Sequence, residues 1–372
     1  MRINVAYIDD VESERRKYEA KFANHIESKE RFTITSFNTP KSPNDYDHIK
    51  EANPELILVD YILDVPDNTG EVIGISGITL SAELRHRFPE IPIVLFTRKS
   101  VFKVQDYAKI KETMFGVIDL LAYKQEVFKD DSPMLDRLYG LSIGYKKLRS
   151  QNSKVWGSLL ELMDAPDTDS IPLEQANSPL LPGTRWSAAP IAAWICDVVL
   201  KYPGILYGDL HAATMLGISQ QAFQSSGVID IFSAAQYRGI FALPDSRWWK
   251  SRLQNAAYAI MSKKERTLPL KLGFPTALER VTHAAVERAQ CVFSGESPAD
   301  WVCCILNKPV MIKYSLSYKA DNRPPIMDEA RISFEAIKVS NEWDERFIDP
   351  FGRKLVMEIK RRPKPTGTAS AN

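Results

Sequence analysis

The chain has 372 residues and is poor in cysteine and histidine, with four and five respectively. The cysteines show none of the spacings of metal-binding motifs, and the adjacent pair Cys303 and Cys304 is of a kind that rarely forms a disulfide. We therefore expect free thiols. No apolar run approaches the length of a membrane span, and the N-terminal segment MRINVAYI opens directly into a predicted strand. These absences favour a cytoplasmic protein with no signal peptide and no membrane partner.

The net charge is also small, at +1, but it is unevenly distributed. Residues 1–179 carry a net charge of −6, and the remainder of the chain carries +7. Because the basic excess is modest and spread along the sequence, it favours a nucleic-acid partner only slightly. Contact between an acidic and a basic domain explains the uneven charge distribution equally well. The length fits two domains and a connector.

The first third of the chain contains short apolar runs that alternate with helical patterns. The runs lie at residues 3–8, 56–59, 91–96 and 117–122. This alternation is typical of a parallel β-sheet that is covered by helices on both faces. In such sheets, ligands bind at the edge formed by the carboxyl ends of the strands.

Polar residues follow each of these runs. Asp9 and Asp10 follow the first run, Asp60 the second, Thr97 the third and Lys124 the fourth. Carboxylates that converge on one edge repel one another unless a cation joins them, and Mg²⁺ prefers oxygen ligands. A hydroxyl and an ammonium group opposite them suit the oxygens of a phosphoryl group, with Asp60 as the nucleophile. The pattern predicts metal-assisted phosphoryl transfer to a carboxylate.

A simpler interpretation is that the three aspartates cap helices or turns. Aspartate is a good N-cap, and a helical pattern does follow Asp10. Capping explains any one aspartate, but it does not explain why all three share an edge with Thr97 and Lys124. The phosphoryl-transfer interpretation is therefore the stronger one.

Four stretches in the first third of the chain resemble the receiver domain of two-component response regulators. They are VAYIDDVES, PELILVDYILD, GITLSAELRHRFPEIPIVLFT and GVIDLLAYK. The resemblance implies a doubly wound, five-stranded parallel sheet of the flavodoxin-like class. It also implies that Asp60 is the phosphoacceptor, that Thr97 is the switch hydroxyl and that Lys124 binds the phosphate. The implied partner is a histidine kinase or a phosphotransfer protein that donates the phosphoryl group.

The same resemblance implies Mg²⁺ as the cofactor. Asp10 is the direct ligand with Asp9 beside it, and Asp60 and the backbone carbonyl of Ile62 complete the protein ligands. The loop after Asp60 is longer than usual and acidic. Within it, Asp64 either tunes the metal affinity or is an ordinary solvated loop residue.

Three positions depart from the family pattern. Arg98 follows Thr97 where a small residue is usual, and a guanidinium there is able to cover or pair with a phosphoryl group. Leu121 stands at the position of the usual aromatic switch residue, and Gln125 replaces the usual proline. These departures predict that phosphorylation is retained while its readout is altered.

Composition divides the chain into four predicted segments. Residues 1–130 form the receiver-like domain and residues 131–182 a helical connector with a linker rich in proline, aspartate and serine. Residues 183–362 form an α+β domain, and residues 363–372 a disordered tail. An apolar stripe in the connector fits a homodimer seam, a joint between domains, or packing onto its own sheet.

The α+β domain shows no resemblance of comparable strength, but two patterns in it suggest chemistry. HAATMLGISQQAF has the spacing of a helix-turn-helix, although its second helix has no arginine or lysine to contact phosphates. Asp349, followed by Glu358 and Lys360 on a predicted strand in KLVMEIK, is similar to the metal-binding arrangement of restriction-type nucleases. Ordinary charge pairing across strands explains the same residues.

These observations lead to four hypotheses for function. The first is a response regulator that accepts a phosphoryl group on Asp60 and signals through its second domain, without enzymatic activity beyond autodephosphorylation. A variant is a phosphate sink, similar to the receiver components of antiviral phosphorelays, which drains phosphoryl groups from a kinase. The alternatives are a DNA-binding transcription regulator and a nuclease that is regulated by phosphorylation.

Overall fold

The structure is a computed structural model of the chain, and it describes residues 2–63, 76–98, 116–151, 155–179, 186–242 and 244–361. Contacts divide the chain into two compact units. The first comprises Met1–Asp164, Ser178–Cys196 and Gly239–Pro244, and the second comprises Ala165–Asn177, Asp197–Arg238 and Asp245–Asn372. The domain limits inferred from the sequence stay a prediction, and the tail at 363–372 lies outside the described residues.

Strands and helices alternate through most of the described part of the first unit. In chain order they are β1 (Ile3–Ile8), α1 (Glu12–Asn24), α2 (Ile26–Arg31), β2 (Phe32–Phe37), α3 (Pro43–Glu51), β3 (Leu56–Asp60), α4 (Gly77–Arg87), β4 (Ile93–Thr97), β5 (Leu120–Tyr123), α5 (Lys124–Val127), α6 (Pro133–Ser150), α7 (Trp156–Leu162) and α9 (Ala188–Trp194). A short helix of the second unit, α8 (Ser170–Gln175), comes between the last two.

Among the described residues of this unit, five parallel strands form one sheet in the order β2-β1-β3-β4-β5. This is the flavodoxin-like doubly wound order, and the direction of winding changes between β1 and β3. Both faces of the central strands are buried, so that neighbouring residues of opposite orientation, such as Ile57 and Leu58, are both inaccessible to solvent. Continuous apolar runs are what such strands require. The predicted fold class of the N-terminal domain is confirmed.

A buried polar cluster attaches two helices to this sheet. Asp119, one residue before β5, accepts hydrogen bonds from Arg85 of α4, from Tyr145 of α6 and from the backbone of Ile93. Burial raises the pKa of Asp119, while the Arg85 guanidinium opposes that shift. The cluster positions α4 and α6 at the end of the sheet opposite the strand carboxyl ends.

The apolar stripe predicted in the connector lies on α6. Ser132 caps this helix by accepting a hydrogen bond from the Leu135 N–H at 3.3 Å, and Pro133 occupies the first helical position. The stripe residues Leu135, Leu138, Tyr145 and Leu148 are all fully buried, and α6 packs on α9 of the same unit. The stripe is therefore used for packing inside its own unit.

The described part of the second unit contains helices and short strands. After α8 they are β6 (Leu206–Tyr207), α10 (Asp209–Leu216), α11 (Gln220–Phe223), α12 (Ser226–Phe232), β7 (Trp248–Trp249), α13 (Lys250–Ile260), α14 (Leu270–Thr282), β8 (Trp301–Cys303), β9 (Lys308–Val310), β10 (Ser315–Ser317), β11 (Arg331–Ser333), α15 (Phe334–Val339) and α16 (Pro350–Arg361). The order β10-β11-β8-β9 gives a separate sheet, so the unit is of the α+β class.

One segment of the second unit differs from the sequence prediction. The segment KLVMEIK is part of helix α16 and not a strand, because Gly352, Val356 and Ile359 recur at helical spacing and form its buried face. The sheet is not wholly antiparallel, since β8 and β11 pair in parallel. The two adjacent tryptophans form strand β7, where both are buried and unable to stack on bases.

Among the residues that the structure describes, no helix combines the length and apolar character that crossing a membrane requires.

Gly77 is required where α4 begins, because an added Cβ at this position would lie 2.0 Å from the Asp60 carbonyl oxygen. We expect Gly77→Ala to lower the free energy of unfolding by about 2 kcal/mol, as overpacking generally does. Gly157→Ala is the matched control, because nothing lies within 4 Å of a Cβ added there in α7. Urea denaturation of both variants checks the prediction. Equal stability of the two variants would contradict the close packing of α4 on β3.

Candidate functional site

The sheet brings the predicted polar residues to one edge. Asp9 follows β1, Asp60 ends β3, Thr97 ends β4 and Lys124 follows β5. The strand register aligns these ends, with Asp60 opposite Phe96 and Thr97 opposite Tyr123. The convergence predicted from the sequence is therefore a feature of the fold.

Lys124 is the centre of this edge. Its Nζ lies 2.6 Å from Asp60 Oδ1, 3.2 Å from Asp9 Oδ2 and 3.0 Å from the hydroxyl of Tyr7. The side chain is only 3% exposed, and Nζ lies 4.9 Å from the ring centroid of Tyr18. A buried ammonium is tolerated only with such partners, and here three oxygens and an aromatic face supply them.

Tyr7 is the residue of this cluster that the sequence analysis missed. Its hydroxyl donates a hydrogen bond to Asp9 Oδ2 and accepts one from Lys124. Burial and the nearby charge of Asp9 raise the pKa of Tyr7, so the phenol is a neutral donor at ordinary pH. The two-residue period of a strand could have identified Tyr7 from the sequence, since Tyr7 precedes Asp9 by two residues and lies on the same face.

The carboxyl group of Asp60 has a raised pKa. Its side chain is 14% exposed, and desolvation by burial raises its pKa from 3.8 to about 6. The Lys124 ammonium and the Ile62 N–H, which donates to Oδ2 at 3.3 Å, oppose this rise, while the charge of Asp9 adds to it. A raised pKa from burial next to a specific charge partner is typical of functional sites.

The side chains at this edge fit Mg²⁺ by their chemistry. Asp9, Asp10 and Asp60 are hard oxygen donors, and the ion prefers such ligands. Within the described ranges, however, no group of three histidine, cysteine or acidic side chains is assembled to hold a metal. The oxygens of Asp9 and Asp60 accept hydrogen bonds from Lys124, Tyr7, Val11 and Ile62 instead. A cation at Asp9 Oδ2 would compete with the hydrogen bonds that this oxygen accepts from Tyr7 and Lys124.

The remaining receiver-like positions lie around the cluster. Thr97 is buried at the strand end, and Leu121 is part of the hydrophobic core under the edge. Arg98 forms an ion pair with Glu14 of α1 at 2.8 Å, and this carboxylate raises the pKa of Arg98. Asp64 lies outside the described residues.

The nuclease-like residues of the second unit are not brought together. Asp349 Oδ1 accepts the N–H groups of Phe351 and Gly352, so Asp349 caps helix α16. Glu358 is nine positions further along, roughly 13 Å at 1.5 Å per residue. Lys360 is two residues beyond Glu358, which on a helix puts it on a different face. The strand that the nuclease interpretation requires is absent at 354–360, which the structure describes as part of α16.

The helix-turn-helix candidate has a short second helix. Gly217 ends α10 in the left-handed conformation, and a Cβ there would lie 2.0 Å from the Lys271 carbonyl oxygen. This close contact is made with α14 and not with the second helix of the candidate motif. The following helix α11 has four residues, and none of them is basic. The helix therefore offers no cationic side chain to the phosphates of a DNA groove.

A cavity of about 460 Å³ lies in the second unit between α10 and β8. His211 lines it, and burial lowers the pKa of this imidazole to about 4. The two lysines at its wall are paired with aspartates, Lys250 with Asp328 at 3.1 Å and Lys271 with Asp300 at 2.6 Å. These pairs balance the charge of the cavity wall.

No family model and no curated protein matches the chain. Several solved structures of receiver domains do. They include a LuxR-family DNA-binding response regulator from Staphylococcus aureus (18% identity, 36% of this chain and 95% of that chain, TM-score 0.26) and a response regulator receiver domain protein from Clostridium thermocellum (13%, 40% and 98%, TM-score 0.27). A third is a response regulator from Thermotoga maritima in complex with Mg²⁺–BeF (16%, 36% and 96%, TM-score 0.25). Because these TM-scores are low, the fold assignment depends on the strand order and register.

Lys124 is expected to keep the pKa of Asp60 from rising further, because its ammonium favours the ionised carboxylate. In metal-free protein we expect Asp60 to titrate near pH 6 and Lys124→Met to move the midpoint higher. The ¹³C resonance of the Asp60 carboxyl carbon measures both values. Lys129→Met, at an exposed position, is the control. An unchanged or lower midpoint in Lys124→Met would show that the ion pair does not exist in solution.

The same pKa predicts the pH dependence of folding stability. Because the folded-state pKa of Asp60 lies above its ordinary value of 3.8, the contribution of this group to stability is fully present below about pH 4. It is lost as the pH rises through about 6. Asp60→Asn removes this contribution. In chelator-containing buffer, the difference in urea midpoint between wild type and Asp60→Asn should therefore change between pH 4 and pH 6 and stay constant above.

Proposed function

We propose that this protein is a response regulator of a two-component system and that it accepts a phosphoryl group on Asp60. The observation that carries the proposal is the Lys124–Asp60 contact of 2.6 Å at the carboxyl edge of a doubly wound sheet. Asp9 and Thr97 stand at the same edge. A nucleophilic carboxylate, a cation and a hydroxyl are what transfer of a phosphoryl group to a carboxylate needs.

The reaction follows from the positions of these groups. An oxygen of Asp60 forms a bond to phosphorus while the bond from phosphorus to the donor histidine nitrogen breaks, and the electron pair remains on that nitrogen. Lys124 moves from the free carboxylate to a phosphoryl oxygen, and the Thr97 hydroxyl donates to another. Asp9, Asp10, Asp60 and the Ile62 carbonyl would hold Mg²⁺, which would supply positive charge to offset the charge on the phosphoryl oxygens.

The consequence of phosphorylation is expected to differ from that of a typical receiver. Leu121 is a core side chain and offers no aromatic ring that could follow a movement of Thr97. Arg98 is already paired with Glu14, so a phosphoryl group at Asp60 would compete with that carboxylate for the guanidinium. These two features support either an output through Arg98 and α1 or the phosphate-sink variant, in which no output is needed.

The two other hypotheses have less support. A DNA-binding regulator requires a recognition element, and the four residues of α11 lack basic side chains. A nuclease requires clustered acids, and Asp349 and Glu358 lie at opposite ends of α16. No observation in the described part of the chain favours either hypothesis over signalling by phosphorylation. A histidine kinase or phosphotransfer protein is the corresponding partner.

Asp60→Asn is expected to abolish phosphorylation, because an amide oxygen is a much weaker nucleophile than a carboxylate. Wild type incubated with Mg²⁺ and acetyl phosphate should gain the mass of one phosphoryl group, as measured by intact-protein mass spectrometry. Asp47→Asn, at an exposed position of α3, is the matched control and should be labelled like wild type. Far-UV circular dichroism checks that each variant is folded.

Two results would contradict the proposal. Labelling of Asp60→Asn at wild-type level would mean that another group is the acceptor. Absence of labelling in wild type, with acetyl phosphate and with a panel of histidine kinases, would mean that the edge is not a phosphoacceptor site.

A further inference from the structure

We propose that Tyr7 is a positioning residue that holds Asp9 away from Mg²⁺ and so raises the concentration of the ion needed to prepare the site for phosphorylation. The inference rests on the proposed function, since it concerns how the same edge takes up its cation. What it adds is a residue of this chain that competes with the ion for a carboxylate oxygen.

The first step is that the Tyr7 hydroxyl has a fixed position. The side chain is fully buried, and its ring makes edge-to-face contacts with Tyr18 at 5.9 Å and with Phe96 at 5.7 Å. Rings packed in this way on several sides do not change rotamer without disturbing the core. The hydroxyl therefore points at the polar edge whether or not a cation is bound.

The second step is that Asp9 has no oxygen without a partner in the arrangement seen here. Oδ1 accepts the Val11 N–H at 2.9 Å, and Oδ2 accepts hydrogen bonds from Tyr7 and from Lys124. Tyr7 is a neutral donor, and the hydrogen bond that it gives to a carboxylate is charge-assisted. A cation that binds through Oδ2 of Asp9 must displace or weaken this bond.

The third step is to separate the effect of Lys124 on cation binding from the effect of the Tyr7 hydroxyl. Lys124 contacts both Asp60 and Asp9, and it is also the group that the phosphoryl oxygens require after transfer. Removing Lys124 would therefore change metal binding and phosphate binding together. Removing the Tyr7 hydroxyl changes neither the charge of the site nor the shape of the ring. Tyr7→Phe removes the donor to Asp9, and with it one acceptor of Lys124, while both charged groups stay in place.

The expected result is a gain of affinity, because without the phenol the metal-free carboxylate of Asp9 is less well satisfied while the metal-bound state loses less. We expect Mg²⁺ to bind Tyr7→Phe at least fivefold more tightly than wild type, which corresponds to about 1 kcal/mol at 25 °C. Isothermal titration with MgCl₂ measures the affinity in the absence of any phosphodonor. The rise in unfolding temperature at fixed Mg²⁺ gives a second, independent readout.

Matched variants make the measurement specific. Tyr139→Phe removes a phenol from α6, where the ring contacts Phe32 and not the polar edge, and should bind Mg²⁺ like wild type. Asp10→Asn in the Tyr7→Phe background should weaken binding again, because it removes a proposed direct ligand. Tyr7→Leu also lacks the hydroxyl and replaces Tyr7→Phe if that variant does not fold. A purely structural role for Tyr7 predicts loss of affinity and not a gain.

The outcomes separate the inference from the proposed function. Equal or weaker Mg²⁺ binding by the folded Tyr7 variant overturns the inference, and so does an absence of measurable binding in both proteins. If wild type is labelled by acetyl phosphate and Asp60→Asn is not, the proposed function stands in either case. Tighter Mg²⁺ binding by Tyr7→Phe, lost again in Asp10→Asn, supports the inference.

Discussion

The ammonium group of Lys124 is buried among oxygens and aromatic rings, and the polar edge of the first unit depends on this arrangement. Lys124 is 3% exposed and contacts Asp60, Asp9 and the hydroxyl of Tyr7. An unpaired charge in that position would cost several kcal/mol, so the two carboxylates and the ammonium require one another. Strand β5 places the lysine directly at the end of the sheet, and helix α5 begins with it. The pairing of these charges therefore also contributes to the stability of the folded edge.

The opposite end of the sheet has its own buried cluster, and the two clusters together position the helices. Asp119 accepts hydrogen bonds from Arg85 and Tyr145. These bonds attach α4 and α6 at the amino end of β5. At the other end of α4, Gly77 packs on the backbone of Asp60 so closely that a side chain has no room. Helix α4 is thus fixed at both ends, once by a charge pair and once by direct backbone contact. A movement of the Asp60 backbone would therefore displace the start of α4.

The second unit does not have a comparable polar centre in its described part. Its charged side chains mostly form pairs, such as Lys250 with Asp328 and Lys271 with Asp300 at the wall of the cavity. His211 lines the same cavity in its neutral form, because burial lowers its pKa to about 4. Both pairs are partly exposed, and they leave neither lysine as an unpaired cation at the cavity wall. The second unit has the character of a packed α+β module, and the proposed phosphoacceptor site lies in the first unit.

The sequence by itself determined four of the five strands of the sheet and four residues of the site. Apolar runs that are buried on both faces require parallel strands, and the residues that follow them, Asp9, Asp60, Thr97 and Lys124, must then meet at one edge. Tertiary structure alone decided that Tyr7 enters the cluster, because a tyrosine in an apolar run is equally compatible with the core. It also decided that KLVMEIK is helical, since a short run of alternating residues fits both periods until its buried neighbours select one. The local sequence pattern fixes where a strand ends. Packing against residues distant in the sequence decides which group the Tyr7 hydroxyl contacts and whether a short segment such as KLVMEIK is a helix or a strand.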